Sequence, residues 1–125
     1  MTGFVQNIEE TTLENDFFRK VLFTGTYCQL VVMSLAPGED IGAEVHETVD
    51  QFFRVESGVG KIVMGGEESQ ISDGFAIVVP AGVEHNLINT SQEEPLKLYT
   101  IYSPPNHPAN RVHRTKAEAL ADETH

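Results

Sequence analysis

The chain has 125 residues, enough for one domain that buries a hydrophobic core without disulfide bridges. Its 19 acidic and 8 basic residues give a net charge of −11, which disfavours binding to nucleic acid or to an anionic membrane surface. The single cysteine excludes an internal disulfide, no apolar run is long enough to predict a membrane span, and the N-terminus lacks the pattern of a signal peptide. We therefore expect a cytoplasmic protein.

Short β-favouring segments separated by Gly, Pro, Asn and Asp turns follow one another along most of the chain. The predicted strands cover residues 17–23, 27–35, 51–57, 61–64, 68–72, 75–79, 84–89 and 96–102. Gly65-Gly66 predicts a hairpin between two of them. No segment before residue 110 has a helical period. This pattern indicates an all-β sandwich or barrel.

The tail differs from the rest of the chain. Closely spaced prolines end the last predicted strand and keep the chain extended. Thr115 and Glu118 match a capping box and predict one short C-terminal helix. We interpret His107 and His113, within the proline-rich part, as surface residues, and the terminal His125 as disordered.

Four polar residues in two separate segments form a candidate metal site. Glu44 and His46 are two positions apart, so they point to the same face of a strand. Gln51 follows a polar break that lets the next strand run back beside the first. His85 lies on a later strand and reaches the same point only if the sheet curls into a barrel. One carboxylate, one amide and two imidazoles form a mixed set of the kind that binds Mn, Fe, Co, Ni or Zn.

Two glycine-bounded motifs give the chain a resemblance to the cupin superfamily. The first cupin motif reads Gly, five residues, His-x-His, three or four residues, Glu, six residues, Gly, and residues 38–58 follow its spacing. The second reads Gly, five residues, Pro-x-Gly, two residues, His, three residues, Asn. Residues 74–89 meet the second motif in full, with Gly74, Pro80, Gly82, His85 and Asn89.

The resemblance to a small single-domain, type-2 cupin implies a double-stranded β-helix, or jelly-roll, barrel with one divalent metal between the motifs. By position, the ligands are Glu44, His46, Gln51 and His85. Glu44 stands where the first His is expected and Gln51 where Glu is expected, so the set keeps one carboxylate. Isomerases of the mannose-6-phosphate type are similar in using Gln, His, Glu and His on zinc. Glu44 as a base off the metal, and Gln51 as an amide that orients a ligand, stay open.

The remaining side chains are assigned by strand parity. Phe53 and Val55 share the parity of Gln51 and are expected to line the pocket. Lys97, Tyr99 and Tyr102, on the last strand, are the other polar candidates near the cavity; Lys97 and Tyr99 have one parity and Tyr102 the other. Cys28 is interpreted as a buried apolar residue. The whole chain, residues 1–125, is treated as one domain, with an N-terminal arm at 1–16 and a C-terminal tail at 103–125.

The leading functional hypothesis is a metal-binding cupin that acts on a small carbonyl or sugar-like compound, with isomerase or lyase chemistry. The metal polarises a carbonyl oxygen, and Tyr99, or Glu44 where it is not a ligand, moves a proton. A metal-dependent dioxygenase and a non-catalytic module that binds a small molecule remain alternatives. We expect a homodimer, because a small barrel exposes edge strands that invite pairing.

Overall fold

The computed structural model describes residues 2–122, which form two packed antiparallel sheets and two short helices. The helices are α1 (Ile8–Glu14) and α2 (Lys116–Ala121). The strands are β1 (Arg19–Thr24), β2 (Gln29–Leu35), β3 (Asp50–Ser57), β4 (Val59–Met64), β5 (Glu67–Ser72), β6 (Ala76–Val79), β7 (His85–Asn89), β8 (Leu96–Ser103) and β9 (Val112–His113). One sheet has the order β6-β3-β8-β2-β1-β9 and the other β5-β4-β7. This is the expected double-stranded β-helix barrel.

Side chains alternate along each strand because one face of the sheet forms the barrel interior. In β8, Leu96, Leu98, Thr100 and Tyr102 are buried, and the residues between them are only half-buried. The strand register places Tyr102 opposite both Gln29 and Gln51, whereas Leu96 lies opposite Leu35. The interior therefore has a polar end, where the candidate ligands lie, and an apolar end that forms the core.

The prediction of an all-β fold with a short C-terminal helix is confirmed, and each predicted strand begins and ends within two residues of the observed one. Thr115 caps α2, since its hydroxyl accepts a hydrogen bond from the Glu118 amide at 3.2 Å. The Glu118 carboxylate accepts from the Arg114 amide at 3.0 Å, one residue before the donor that a capping box uses.

Two expectations for the first third of the chain are wrong. The N-terminal arm contains α1, whose first turn is capped by the Asn7 side chain accepting from the Glu10 amide at 3.0 Å. This helix is seven residues long and has one buried residue, Thr12, so it is too short to show a helical period. Cys28 is exposed and not buried, because it belongs to the turn that precedes β2. His125 lies outside the described residues.

The glycine that ends the first motif occupies a position with no room for a side chain. Gly58 has a φ of +107°, and a Cβ atom there would lie 2.6 Å from the carbonyl oxygen of Pro95 and 3.0 Å from the Cα atom of Leu96. The chain turns from β3 into β4 at this point, directly against the start of β8. The motif spacing thus reflects a close approach of two backbone segments.

We predict that Gly58→Ala lowers the free energy of unfolding by roughly 2 kcal/mol more than Gly66→Ala, because both add strain but only one adds a clash. Gly66 is the matched control: its φ is +84°, and a Cβ there meets nothing within 4 Å. Urea unfolding followed by circular dichroism measures the difference. Equal losses in the two variants would contradict the close approach at Gly58.

Asp40 ties the C-terminal helix to the barrel beside the metal-site segment. One carboxylate oxygen accepts a hydrogen bond from Asn86 Nδ2 at 2.9 Å, and the other accepts from the ammonium of Lys116 on α2. The hydrogen bond from Asn86, followed by that from Lys116, holds the pKa of Asp40 below its ordinary value of 3.8. The ionised carboxylate therefore joins β7 to α2.

Asp40→Asn is expected to destabilise the protein by about 1 kcal/mol at neutral pH, since the charge that both donors face is lost. Because the pKa of Asp40 is lower in the folded state than its unfolded value of 3.8, the carboxylate contributes to the free energy of unfolding at pH values above 3.8. This contribution is lost as the pH falls through the lower folded-state pKa, so the variant and the parent converge in acid. Urea titrations across this range, with Glu93→Gln as an exposed control, check the convergence; a constant difference would contradict it.

Candidate metal centre

The four candidate ligands reach one place because the segment before β3 runs beside β7. Glu44 and His85 exchange both backbone hydrogen bonds, each with an N–H to O distance of 2.9 Å. The backbone carbonyl of His46 accepts from the Gly82 amide at 2.8 Å. Gln51 enters from β3 in the opposite sheet. Closure of the two sheets therefore brings the two motifs together.

The distances between the ligand atoms fit a single bound ion. Glu44 Oε2 lies 2.9 Å from His46 Nε2, and Gln51 Oε1 lies 3.1 Å from His85 Nε2. Ligand atoms of Glu44, His46 and His85 all lie within 4.8 Å of one another. Two ligands bound about 2.1 Å from one ion at right angles are about 3.0 Å apart. The residues present therefore suit a small divalent cation.

The contact between Gln51 and His85 requires a positive charge between its two atoms. His85 Nδ1 lies 3.0 Å from the carbonyl oxygen of Val83, which only an N–H can contact favourably, so the ring proton is on Nδ1. Gln51 Nε2 donates to the Thr100 hydroxyl at 3.0 Å, which turns its oxygen toward His85 Nε2. Two lone pairs facing each other at 3.1 Å repel unless a metal ion or a second imidazole proton lies between them.

His46 also presents a ring nitrogen whose lone pair or proton has no hydrogen-bond partner among the described residues. Its Nε2 atom is buried and makes no hydrogen bond to any described residue, although the Glu44 carboxylate is 2.9 Å away. Distance alone would permit a hydrogen bond, so the ring nitrogen is not directed at that oxygen. Two ligand atoms that are close but not aligned on each other are arranged as they would be if both were directed at a third atom.

Glu44 is ionised in this setting. Burial alone raises the pKa of its carboxyl group, but the interaction with His46 and the positive charge of Arg19 outweigh burial, and the pKa lies below its ordinary value of 4.5. A metal ligand must be deprotonated to bind. The carboxylate therefore has the protonation state that a divalent ion needs.

Two of the four expected pocket residues face the interior and two do not. Phe53 is fully buried, and its ring centroid lies 6.3 Å from that of His85. Val55 is also buried and is the next inward-facing residue of β3 after Phe53. The expectation for Lys97 and Tyr99 is wrong. Lys97 pairs with Asp16 at 3.0 Å on the outer face, and Tyr99 packs against Phe52 there at 6.2 Å. The inward parity of β8 belongs to Thr100 and Tyr102.

Four further polar residues lie in the interior, and of these only Tyr102 was a candidate from the sequence. Tyr102 is 1% exposed, with its ring centroid 5.8 Å from His46 and 5.0 Å from His107. His107 and His113, expected at the surface, are buried because the tail folds back and β9 pairs with β1. Arg19, on β1, is also buried. The inward parity of Tyr102 was visible in the sequence; the other three depend on a pairing between distant segments.

A surface cavity of about 370 Å³ lies away from this centre, between α1 and the outer faces of β1 and β2. Its lining includes Asn15, Phe17 and Lys20, and none of the four candidate ligands. Volume alone therefore does not locate the chemistry here; the convergence of unpaired ligand atoms does.

Comparison with known proteins agrees with the motifs and the fold. Residues 31–102 match the cupin domain. The chain belongs to the cupin family. YrkC of Bacillus subtilis (strain 168) is 52% identical over 126 residues, covering 96% of this chain and 67% of YrkC. A protein of Acanthamoeba polyphaga mimivirus is 43% identical over 112 residues, covering 87% of this chain and 70% of its own length.

A solved structure shares the fold closely. The crystal structure of BH2720 from Bacillus halodurans superimposes on this cupin with a TM-score of 0.93 at 48% identity, covering 95% of this chain and 94% of BH2720. Within residues 2–122, no helix is long and apolar enough to cross a membrane.

The hydrogen bond from Gln51 to Thr100 gives a direct test of the amide as a ligand. Thr100→Val frees the amide, and we predict that the affinity for Co²⁺ falls by about tenfold or more, as when a residue that orients a metal ligand is removed. Competition with a chelating dye measures the affinity. Thr12→Val is the control, since Thr12 is equally buried but donates to Ile8 on α1, remote from the centre. Unchanged affinity in Thr100→Val would show that the orientation of Gln51 does not matter for binding.

Proposed function

We propose that this cupin binds one divalent metal ion through Glu44, His46, Gln51 and His85 and acts on a small carbonyl or sugar-like compound, with isomerase or lyase chemistry. The observation that carries the proposal is the 3.1 Å approach of Gln51 Oε1 to His85 Nε2, which a bound cation turns from repulsive to favourable. The four ligands have one negative charge in total, which suits a divalent ion with open positions for a substrate.

The two halves of the ligand set have different surroundings. Gln51 and His85 are each 2% exposed and hold the metal from the inside of the barrel. The side chains of Glu44 and His46 are 23% and 14% exposed, so a substrate enters from their side. When bound, the metal supplies a Lewis acid for a carbonyl oxygen. Phe53 and Tyr102 close the interior against water.

Proton transfer falls to Glu44 in this proposal. A carboxylate that binds a metal through one oxygen keeps a second oxygen free, and that oxygen accepts a proton from the carbon beside the substrate carbonyl. Tyr99, the other candidate, faces outward. Tyr102 faces inward, but burial raises its pKa to about 12, so its hydroxyl keeps the proton and offers hydrogen bonds at neutral pH.

The test combines metal content with exchange of substrate hydrogen for solvent deuterium. Untagged protein is reconstituted with Zn²⁺ or Mn²⁺, and exchange at the carbon beside the carbonyl of dihydroxyacetone and other small ketoses is followed by NMR in D₂O. We expect metal-dependent exchange that falls by at least about a hundredfold in Glu44→Gln, the usual loss when a general base is removed. Glu84→Gln is the control, because Glu84 is the exposed carboxylate beside His85.

The other outcomes separate the alternatives. Metal-dependent oxygen consumption without hydrogen exchange would replace the isomerase or lyase proposal with a dioxygenase. Protein that takes up less than a few tenths of an equivalent of metal would instead point to a non-catalytic binding module. His85→Ala must abolish metal uptake if the site is correctly placed.

The homodimer and the cytoplasmic location stay predictions. The edge strand β6, where Val78 is 60% exposed, is a place at which a second copy of the chain would pack.

A further inference from the structure

Arg19 is a cation buried in the barrel without a matching anion. The residue is 2% exposed, and no acidic side chain in the described part of the chain lies within ion-pair distance of its guanidinium. Its Nε atom is buried and makes no hydrogen bond to any residue that the structure describes. Ionised side chains are almost never fully buried unless they are paired. Arg19 therefore has no anionic partner among residues 2–122.

Its neighbours fix the direction of the guanidinium without neutralising it. Nη1 of Arg19 lies 3.3 Å from Nδ1 of His113, and Nε2 of His113 lies 2.8 Å from a carboxylate oxygen of Asp122. The carboxylate takes the ring proton on Nε2, which leaves Nδ1 to accept from Arg19. The Asp122 carboxylate also binds Arg111, so its negative charge is already shared. These contacts orient the guanidinium of Arg19 but do not neutralise its positive charge.

Arg19 and the metal centre share one interior space. The Arg19 guanidinium is a neighbour of the Tyr102 hydroxyl. Tyr102 links the two regions, since its ring lies 5.8 Å from His46 and the strand register sets it opposite Gln51. Arg19 and the metal centre therefore both adjoin Tyr102.

The charges in this space do not balance. Arg19 and a divalent ion together bring three positive charges, and Glu44 is the only acidic residue among the metal-centre ligands. Burial lowers the pKa of His107 to about 3 and keeps that ring neutral, so it adds no cation. An anionic ligand removes the imbalance. The one charge and planar fork of a single guanidinium match the one charge and two oxygens of a carboxylate.

We propose that Arg19 binds the carboxylate of the ligand, so that the compound held at the metal centre is a small oxo acid and not a neutral carbonyl compound. The planar fork of a guanidinium matches the two oxygens of a carboxylate, and its unused donors provide that contact. This inference rests on the proposed metal centre for the position of the carbonyl oxygen. The contact between Arg19 and the anion does not require the metal.

Pyruvate and pyruvamide provide a matched pair of probes, because they have the same shape and differ in charge. Calorimetric titration of the Co²⁺-loaded protein is expected to show at least about tenfold tighter binding of pyruvate, as for other charge-assisted hydrogen bonds. Arg19→Met, which keeps the length and removes the charge, should bind the two probes equally. Arg54→Met is the control, since Arg54 pairs with Glu56 on the outer face of β3.

Equal binding of the two probes by the parent protein would overturn the inference, as would a pyruvate preference that survives in Arg19→Met. If the variant does not fold, the metal-free parent protein decides the matter, because a pyruvate preference there does not come from Co²⁺. Inorganic phosphate that binds tighter than pyruvate and depends on Arg19 would also overturn the carboxylate assignment. Repeating the titration on metal-free protein separates the two proposals: failed metal uptake with a retained, Arg19-dependent pyruvate preference rejects the metal centre and keeps the anion site.

Discussion

The 3.1 Å approach of Gln51 Oε1 to His85 Nε2 is the contact on which the rest of the site depends. Its two residues lie in different sheets, so it exists only where the barrel closes. Hydrogen bonds on the far side of each group, to Thr100 and to Val83, fix which atoms face inward. Both atoms then present lone pairs, and the proposed cation between them would stabilise the closed barrel.

The fold and the candidate ligands could be predicted from the sequence because both depend on residues separated by short, fixed numbers of positions in the chain. The motif glycines mark points such as Gly58, where the backbone leaves no room for a side chain, and this keeps the spacing fixed. The alternation of side chains along a strand predicted that Phe53 faces inward on the same side of the strand as Gln51. The same rule would have placed Thr100 and Tyr102 inward, since they share the parity of Leu96 and Leu98. We expected Lys97, Tyr99 and Tyr102 near the cavity because they are polar, but only Tyr102 has the inward parity.

The residues that the sequence analysis missed are brought in by contacts between distant parts of the chain. His113 reaches the interior because β9 pairs with β1, 94 residues earlier. In the sequence, Arg19 is an ordinary polar residue of an early strand, and nothing nearby in the chain indicates that it is buried. Net charge was no guide either: a chain of charge −11 still has a guanidinium inside its barrel. Composition describes the surface of this cupin, whereas the arrangement of a few buried groups determines what its interior binds.

The most direct test of the metal centre is anomalous diffraction from crystals of the protein loaded with Co²⁺ or Zn²⁺. The account predicts one anomalous peak at about 2.0–2.2 Å from Glu44, His46, Gln51 Oε1 and His85 Nε2, with the Gln51 amide nitrogen still on Thr100. A map with no peak at this position, and with the Gln51 amide turned so that its nitrogen donates to His85, would contradict the account.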